Sequence, residues 1–168
     1  MNLKKLMFLS LLISSGLVLS IIENMIPVPI PIPGVKLGLA NVVFLLTLVL
    51  FGFKEAMIVV IIRGLTMSLA TGNVSGVIYS LPSSMISTVV MALVYKYFSN
   101  YFSLVGVSLL GAVAFNTVQV GIASLIMQNI RIFSYLPIMI LTSIFTGCFI
   151  GLTAKEAKDK IKINLQKI

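Results

Sequence analysis

An arginine stands inside an apolar run, Ile58-Val59-Val60-Ile61-Ile62-Arg63-Gly64. A guanidinium stays charged and presents its donors in a fixed fork, which suits carboxylates, phosphates and carbonyls. At the centre of a bilayer it costs about 2.5–3.5 kcal/mol on insertion scales, so its presence calls for a partner. Two uses are open. Arg63 pairs within the fold, with Glu23, Glu55 or backbone carbonyls, or snorkels to an interface; or it faces a cavity and binds an anionic or carbonyl group of a ligand. Asn116 and Gln119 are three residues apart in another apolar run and so share a helix face. Asn41 lies in a third. Amides in such runs either join helices through hydrogen bonds or orient a small ligand in a pocket with apolar walls. Asn24 and Lys36 flank a proline-rich segment, and Asn73 and Tyr79 flank a later turn. The expected site therefore has Arg63, Asn41, Asn116 and Gln119 as polar contacts, Lys36 and Tyr79 as gate or wall, and Asn24 and Asn73 at its rim.

Other chemistry is excluded by what the chain lacks. There is no histidine, so no Ser-His-Asp set exists. The four acidic residues are Glu23, Glu55, Glu156 and Asp159, too scattered to hold magnesium on a diphosphate. One cysteine, Cys148, permits neither an internal disulfide nor a cysteine-rich metal site. No GxxxxGK[ST] loop is present, so the chain does not bind ATP as a P-loop protein does. The expectation is a protein that is not an enzyme, with no catalytic residue, no metal and no cofactor.

The elements that must carry these residues are membrane helices. Of 168 residues, 59% are apolar and 10% charged, and the mean hydropathy is +1.15. A soluble domain carries about 25% charged residues. Six apolar runs can be drawn: Leu6–Ile22, Leu37–Phe51, Ala56–Ala70, Gly76–Tyr95, Ser103–Met127 and Phe133–Thr153. A spanning helix needs about 20 residues, so the second and third are short. Six crossings put both termini on one side. Lys4, Lys5, Lys54, Lys96, Lys155, Lys158, Lys160, Lys162 and Lys167 then share that side, against Lys36 and Arg131 on the other. The positive-inside rule makes the lysine-rich side, and both ends, cytoplasmic. Topology thus accounts for the net charge of +8, and no nucleic acid is expected as a partner. Lys4-Lys5 before an apolar run resembles a signal peptide, but no Ala-x-Ala site follows, and the segment is expected to be retained.

Pro27, Pro29, Pro31 and Pro33 alternate with Val28, Ile30 and Ile32. Prolines fix φ and donate no backbone hydrogen bond, and each pushes its predecessor toward extended geometry. Residues 24–36 are expected to form a stiff external loop, either a plain connector or the lid of a site. In the basic tail, residues 155–168, Ala157, Ile161, Leu165 and Ile168 give a helical stripe, which reads as an interfacial helix on an anionic membrane lipid surface or as a solvated tail. Small residues pattern the runs as well: Ser10 and Ser14, Gly16 and Ser20, then Ser80, Ser83, Ser84 and Ser87 around Pro82, and finally Gly147 and Gly151. Such faces pack helices closely or dock a partner subunit.

Pro33-Gly34-Val35-Lys36-Leu37-Gly38-Leu39-Ala40-Asn41 resembles the P-G-x-K-L-G-L-A-N signature of the Gx transporter family, often labelled heptaprenyl diphosphate synthase component I. The likeness continues through Phe51-Gly52-Phe53-Lys54-Glu55-Ala56, Arg63, Tyr79-Ser80-Leu81 and Gly111-Ala112-Val113-Ala114-Phe115-Asn116. It covers roughly residues 10–155. Phe115 stands where many members carry histidine, so no role of that histidine carries over. The family is similar to the substrate-binding S components of energy-coupling factor (ECF) transporters. The resemblance implies an all-α bundle of six transmembrane helices spanning residues 1–154. It also implies a plasma-membrane location and partnership with a transmembrane T subunit and two cytoplasmic ATPase subunits. The cargo would be a small vitamin-like molecule or an isoprenoid or quinone precursor. The alternatives are a non-catalytic membrane accessory subunit of a polyprenyl diphosphate synthase and a standalone secondary carrier.

Overall fold

A computed structural model describes residues 3–25, 38–72, 74–98 and 101–165. The proline segment, Lys36 and Asn73 lie outside the described residues. Among those described the chain is all helical: α1 (Leu3–Met25), α2 (Asn41–Phe51), α3 (Phe53–Thr71), α4 (Val74–Tyr97), α5 (Leu104–Ile126) and α6 (Leu136–Leu165). A 3₁₀ segment, Ile130–Tyr135, precedes α6. In a medium without water a backbone must satisfy its own hydrogen bonds, which long apolar helices do. Four helices are long and apolar enough to cross a membrane: α1, α4 from Gly76, α5, and α6 together with the 3₁₀ segment. The composition is that of a multi-pass membrane protein. The other two of the six expected crossings differ. α2 has 11 residues, about 16 Å at 1.5 Å per residue, half of the roughly 30 Å hydrocarbon layer. α3 has 19 residues but carries Lys54, Glu55 and Arg63. α6 continues without a break into the basic tail, reaching Leu165.

Glycines set two of the turns. Gly52, at φ 102°, ends α2 and starts α3: its N–H donates to the Leu48 carbonyl at 3.1 Å and its carbonyl accepts from the Ala56 N–H at 3.1 Å. Only glycine takes such a φ at little cost, which lets two helices meet at a single residue. At the other end of the bundle Gly38, at φ 85°, leads into α2, and its carbonyl accepts from the Asn41 N–H at 2.9 Å. Polar contacts at both ends bind α1 to this hairpin. The Lys5 ammonium pairs with Glu55 at the end where α3 begins. The Glu23 carboxylate accepts the Gly38 N–H at the end where α2 begins.

The core falls into two parts. The larger gathers α1, α2 and α3 with the second half of α4, the start of α5 and the middle of α6, through Phe44, Leu45, Val59, Val60, Met91, Val107 and Ile150. The smaller joins Tyr79, Val120, Ala123, Ile132 and Met139 around the 3₁₀ segment. α5 and α6 pack backbone to backbone, since a Cβ on Gly151 would fall 2.5 Å from the Val105 Cα and one on Gly147 2.9 Å from the Leu109 Cα. Small residues at such positions are what allow close helix approach in lipid. Pro82 removes one helix N–H from α4. Around it Ser83 donates to the Tyr79 carbonyl at 2.6 Å and Ser87 to the Gly111 carbonyl of α5 at 2.8 Å.

Candidate ligand-binding site

Arg63 is 4% exposed although α3 lies at the side of the bundle. Its stem runs past Gly16, where a Cβ would sit 3.7 Å from the arginine Cγ and from Val43. The guanidinium lies 5.8 Å from the centroid of the Phe44 ring, a cation–π distance. One terminal nitrogen donates to the Ser20 hydroxyl. Ser20 in turn donates to the Gly16 carbonyl at 2.6 Å. The negative charge that acts on the group is Glu23, one turn beyond Ser20 on α1. Of the two acidic partners open from the sequence, Glu55 is taken by Lys5, and Glu23 is the one whose charge acts on Arg63. The arginine Nε is buried with no hydrogen-bond partner.

Asn41 opens α2, one helical turn before Phe44. It is 2% exposed, and both its amide oxygen and its amide nitrogen are buried without a partner. A buried amide left unpaired costs about 1–3 kcal/mol, so two such atoms on one side chain call for an explanation. A Cβ on Gly38 would fall 2.8 Å from the Asn41 Nδ2 and 3.2 Å from the Phe115 ring. Gly38 is therefore the gap through which the amide and the aromatic edge of α5 approach each other.

The amides of α5 behave differently. Asn116 is 1% exposed, and its Nδ2 donates to the Met139 carbonyl at 3.0 Å and to the Ser143 hydroxyl at 2.7 Å, joining α5 to α6. Its oxygen remains buried and unpartnered. Gln119 is fully buried and lies one turn farther along the same helix. Tyr79 is 7% exposed and belongs to the smaller core with Val120 and Met139.

The expected residues thus divide. Arg63 and Asn41 come together on the α2–α3 hairpin against α1, with Phe115 reaching in from α5. Asn116, Gln119 and Tyr79 gather where α4, α5 and α6 meet. Asn24 is exposed at the end of α1, outside both groups. Ser20, Phe44, Phe115 and Ser143 were not singled out as site residues from the sequence. The spacing of Ser20 from Gly16 marks only a small packing residue, and nothing in an aromatic's neighbours along the chain says that a cation lies over it. A separate apolar groove of about 400 Å³ opens at the opposite end of the bundle, lined by Leu48, Phe53, Val89, Leu93, Tyr95 and Lys96 among others. None of the expected site residues lines it. No group of three or more metal-ligating side chains exists among the described residues.

A family model described as heptaprenyl diphosphate synthase component I matches residues 12–157 of the chain. No curated protein and no solved structure matches it.

Proposed function

The chain belongs to the heptaprenyl diphosphate synthase component I family, and from that premise we propose that it is a substrate-capturing S component of an ATP-driven energy-coupling factor importer. In this reading it sits in the plasma membrane with both termini in the cytoplasm. It binds a small molecule through Arg63, Asn41, Asn116 and Gln119. Lys36, Tyr79, Asn24 and Asn73 border the entrance beside the proline segment. Residues 1–154 form the six-crossing unit, and the tail, residues 155–168, lies on the inner membrane surface. ATP hydrolysis falls to other chains, a transmembrane T subunit and two ATPases.

The observation that carries the reading is Asn41, which is 2% exposed and has two unpartnered amide atoms. A fold gains nothing from an amide that bonds to nothing. A binding site gains an oriented donor and acceptor side by side. Arg63 of α3 adds an unpartnered Nε, its guanidinium 5.8 Å from the ring of Phe44, the residue one helical turn along from Asn41. The test is affinity isolation of the tagged chain from gently solubilised membranes of its own cells. The expected result is co-isolation of one further membrane subunit and two ATPases. Isolation with a soluble prenyl synthase and no ATPase would reverse the assignment.

The family's name favours a second reading, a non-catalytic membrane component of a prenyl diphosphate synthase. The apolar groove beside Phe53 and Lys96 would then seat an isoprenoid chain with its diphosphate toward the lysine. Loss of prenyl synthase binding in a Leu93→Trp protein that keeps its fold would support this reading.

A further inference from the structure

The charge around Asn41 narrows what the site can hold. Arg63 is the one basic residue within the buried part of the hairpin, and it is already engaged on several sides. Glu23 supplies the opposing charge, Ser20 accepts from one terminal nitrogen, and Phe44 covers a face. Glu23 also accepts the Gly38 N–H, so this carboxylate is held where the turn leads into α2. The guanidinium and carboxylate together bring no net charge. Among the described residues no second buried cation stands beside Arg63 to receive an anionic cargo, and burying a charge without one is costly. The unused groups are the Arg63 Nε and a neutral pair. Asn41 offers an N–H donor and a C=O acceptor in one plane, both buried and unpartnered. The Phe115 ring edge lies beside that amide across Gly38.

We propose that the Asn41 carboxamide recognises an uncharged, planar donor–acceptor edge, as found in a lactam, a cyclic imide or ureide, or a carboxamide on an aromatic ring. Its two amide atoms pair with the C=O and N–H of the ligand, and Phe115 packs against the ring. Gly38 is the residue that lets the amide and the ring lie this close, because any side chain there would meet the amide nitrogen. The inference rests on the importer reading and adds the class of cargo. It replaces the anion that Arg63 alone suggests by a neutral group.

The test uses matched pairs on the purified full chain in nanodiscs: nicotinamide against nicotinate, and 2-quinolone against quinaldate, each at millimolar concentration. Thermal unfolding is read with and without each compound, for the wild type, Asn41→Leu and Asn41→Asp. The uncharged member of each pair should raise the wild-type melting temperature by several degrees and bind at least about tenfold tighter than the acid. Both variants should lose that shift. Without ligand, Asn41→Leu should melt at or above the wild-type temperature, because it removes two unpaired buried atoms. An Asn41→Leu protein that melts well below wild type would show the amide to be helix glue and overturn the proposal. A preference for the acids would overturn the cargo class and leave capture itself standing. No shift from any member would overturn the cargo class as well, and the importer reading would then be judged by its ATPase partners alone.

Discussion

Arg63 and Asn41 have opposite energetic signs within one hairpin. Removing Arg63 takes away the buried cation on which Glu23 acts and the donor to Ser20, and losing a hydrogen bond from a buried charged group costs about 1.5–3 kcal/mol. Arg63→Ala should therefore lower thermal stability in detergent, measured as the monomer peak that survives heating in size-exclusion chromatography. Adding Glu23→Gln should restore part of the loss, a coupling of about 0.5–3 kcal/mol in a double-mutant cycle. Additive losses would mean that the two charges do not act on each other. Arg63→Lys keeps the charge but gives up the fork and the flat face over Phe44, so it should be intermediate. That Arg63 needs a partner was legible in the sequence, because a lone guanidinium in an apolar run is costly. Which acid it meets was not, since Glu23 and Glu55 lie 40 and 8 residues away along the chain and only the packing of α1 against α3 decides between them. Asn41 was legible as a buried amide, but its lack of partners was not.

The helices themselves were largely written in the hydropathy. Each of the six apolar runs overlaps one helix, and Gly52 marks the turn between the two short ones. The pattern could not show that α2 is only 11 residues long, because the apolar residues from Leu37 onward look alike whether the backbone is helical or turning through Gly38. Gly38→Ala tests that turn. At φ 85° a side chain is strained, and the new Cβ would fall 2.8 Å from the Asn41 Nδ2. The cost should be about 1–3 kcal/mol, read as a lower melting temperature. Gly151→Val tests the contact of α5 with α6. Its Cβ would overlap the Val105 backbone, which cannot swing aside as a side chain can. Overpacking of this kind costs about 1–3 kcal/mol or more. Wild-type stability in this variant would mean that α5 and α6 do not pack as described.

The whole molecule presents apolar side chains outward on nearly every helix: Leu11 and Ile21 on α1, Ile62 and Leu69 on α3, Phe145 and Phe149 on α6. A soluble monomer does not carry apolar surface on this scale, whereas lipid accepts it. Within this belt Ser10 and Ser14 form an exposed small-residue stretch on α1, and the Ser14 hydroxyl is turned back to the Ser10 carbonyl at 2.9 Å. If α1 meets a T subunit there, Ser14→Trp should abolish co-isolation of that subunit and leave the melting temperature unchanged. Retained co-isolation would move the interface elsewhere. The central claim is that the chain exists to hold a small molecule. The most direct measurement is native mass spectrometry of the protein released gently from its own membranes, compared with Asn41→Leu prepared in the same way. The account predicts one small-molecule adduct per chain, uncharged at its ring edge, that is absent from the variant. A wild-type protein carrying only phospholipid, or an adduct equally abundant in Asn41→Leu, would contradict it.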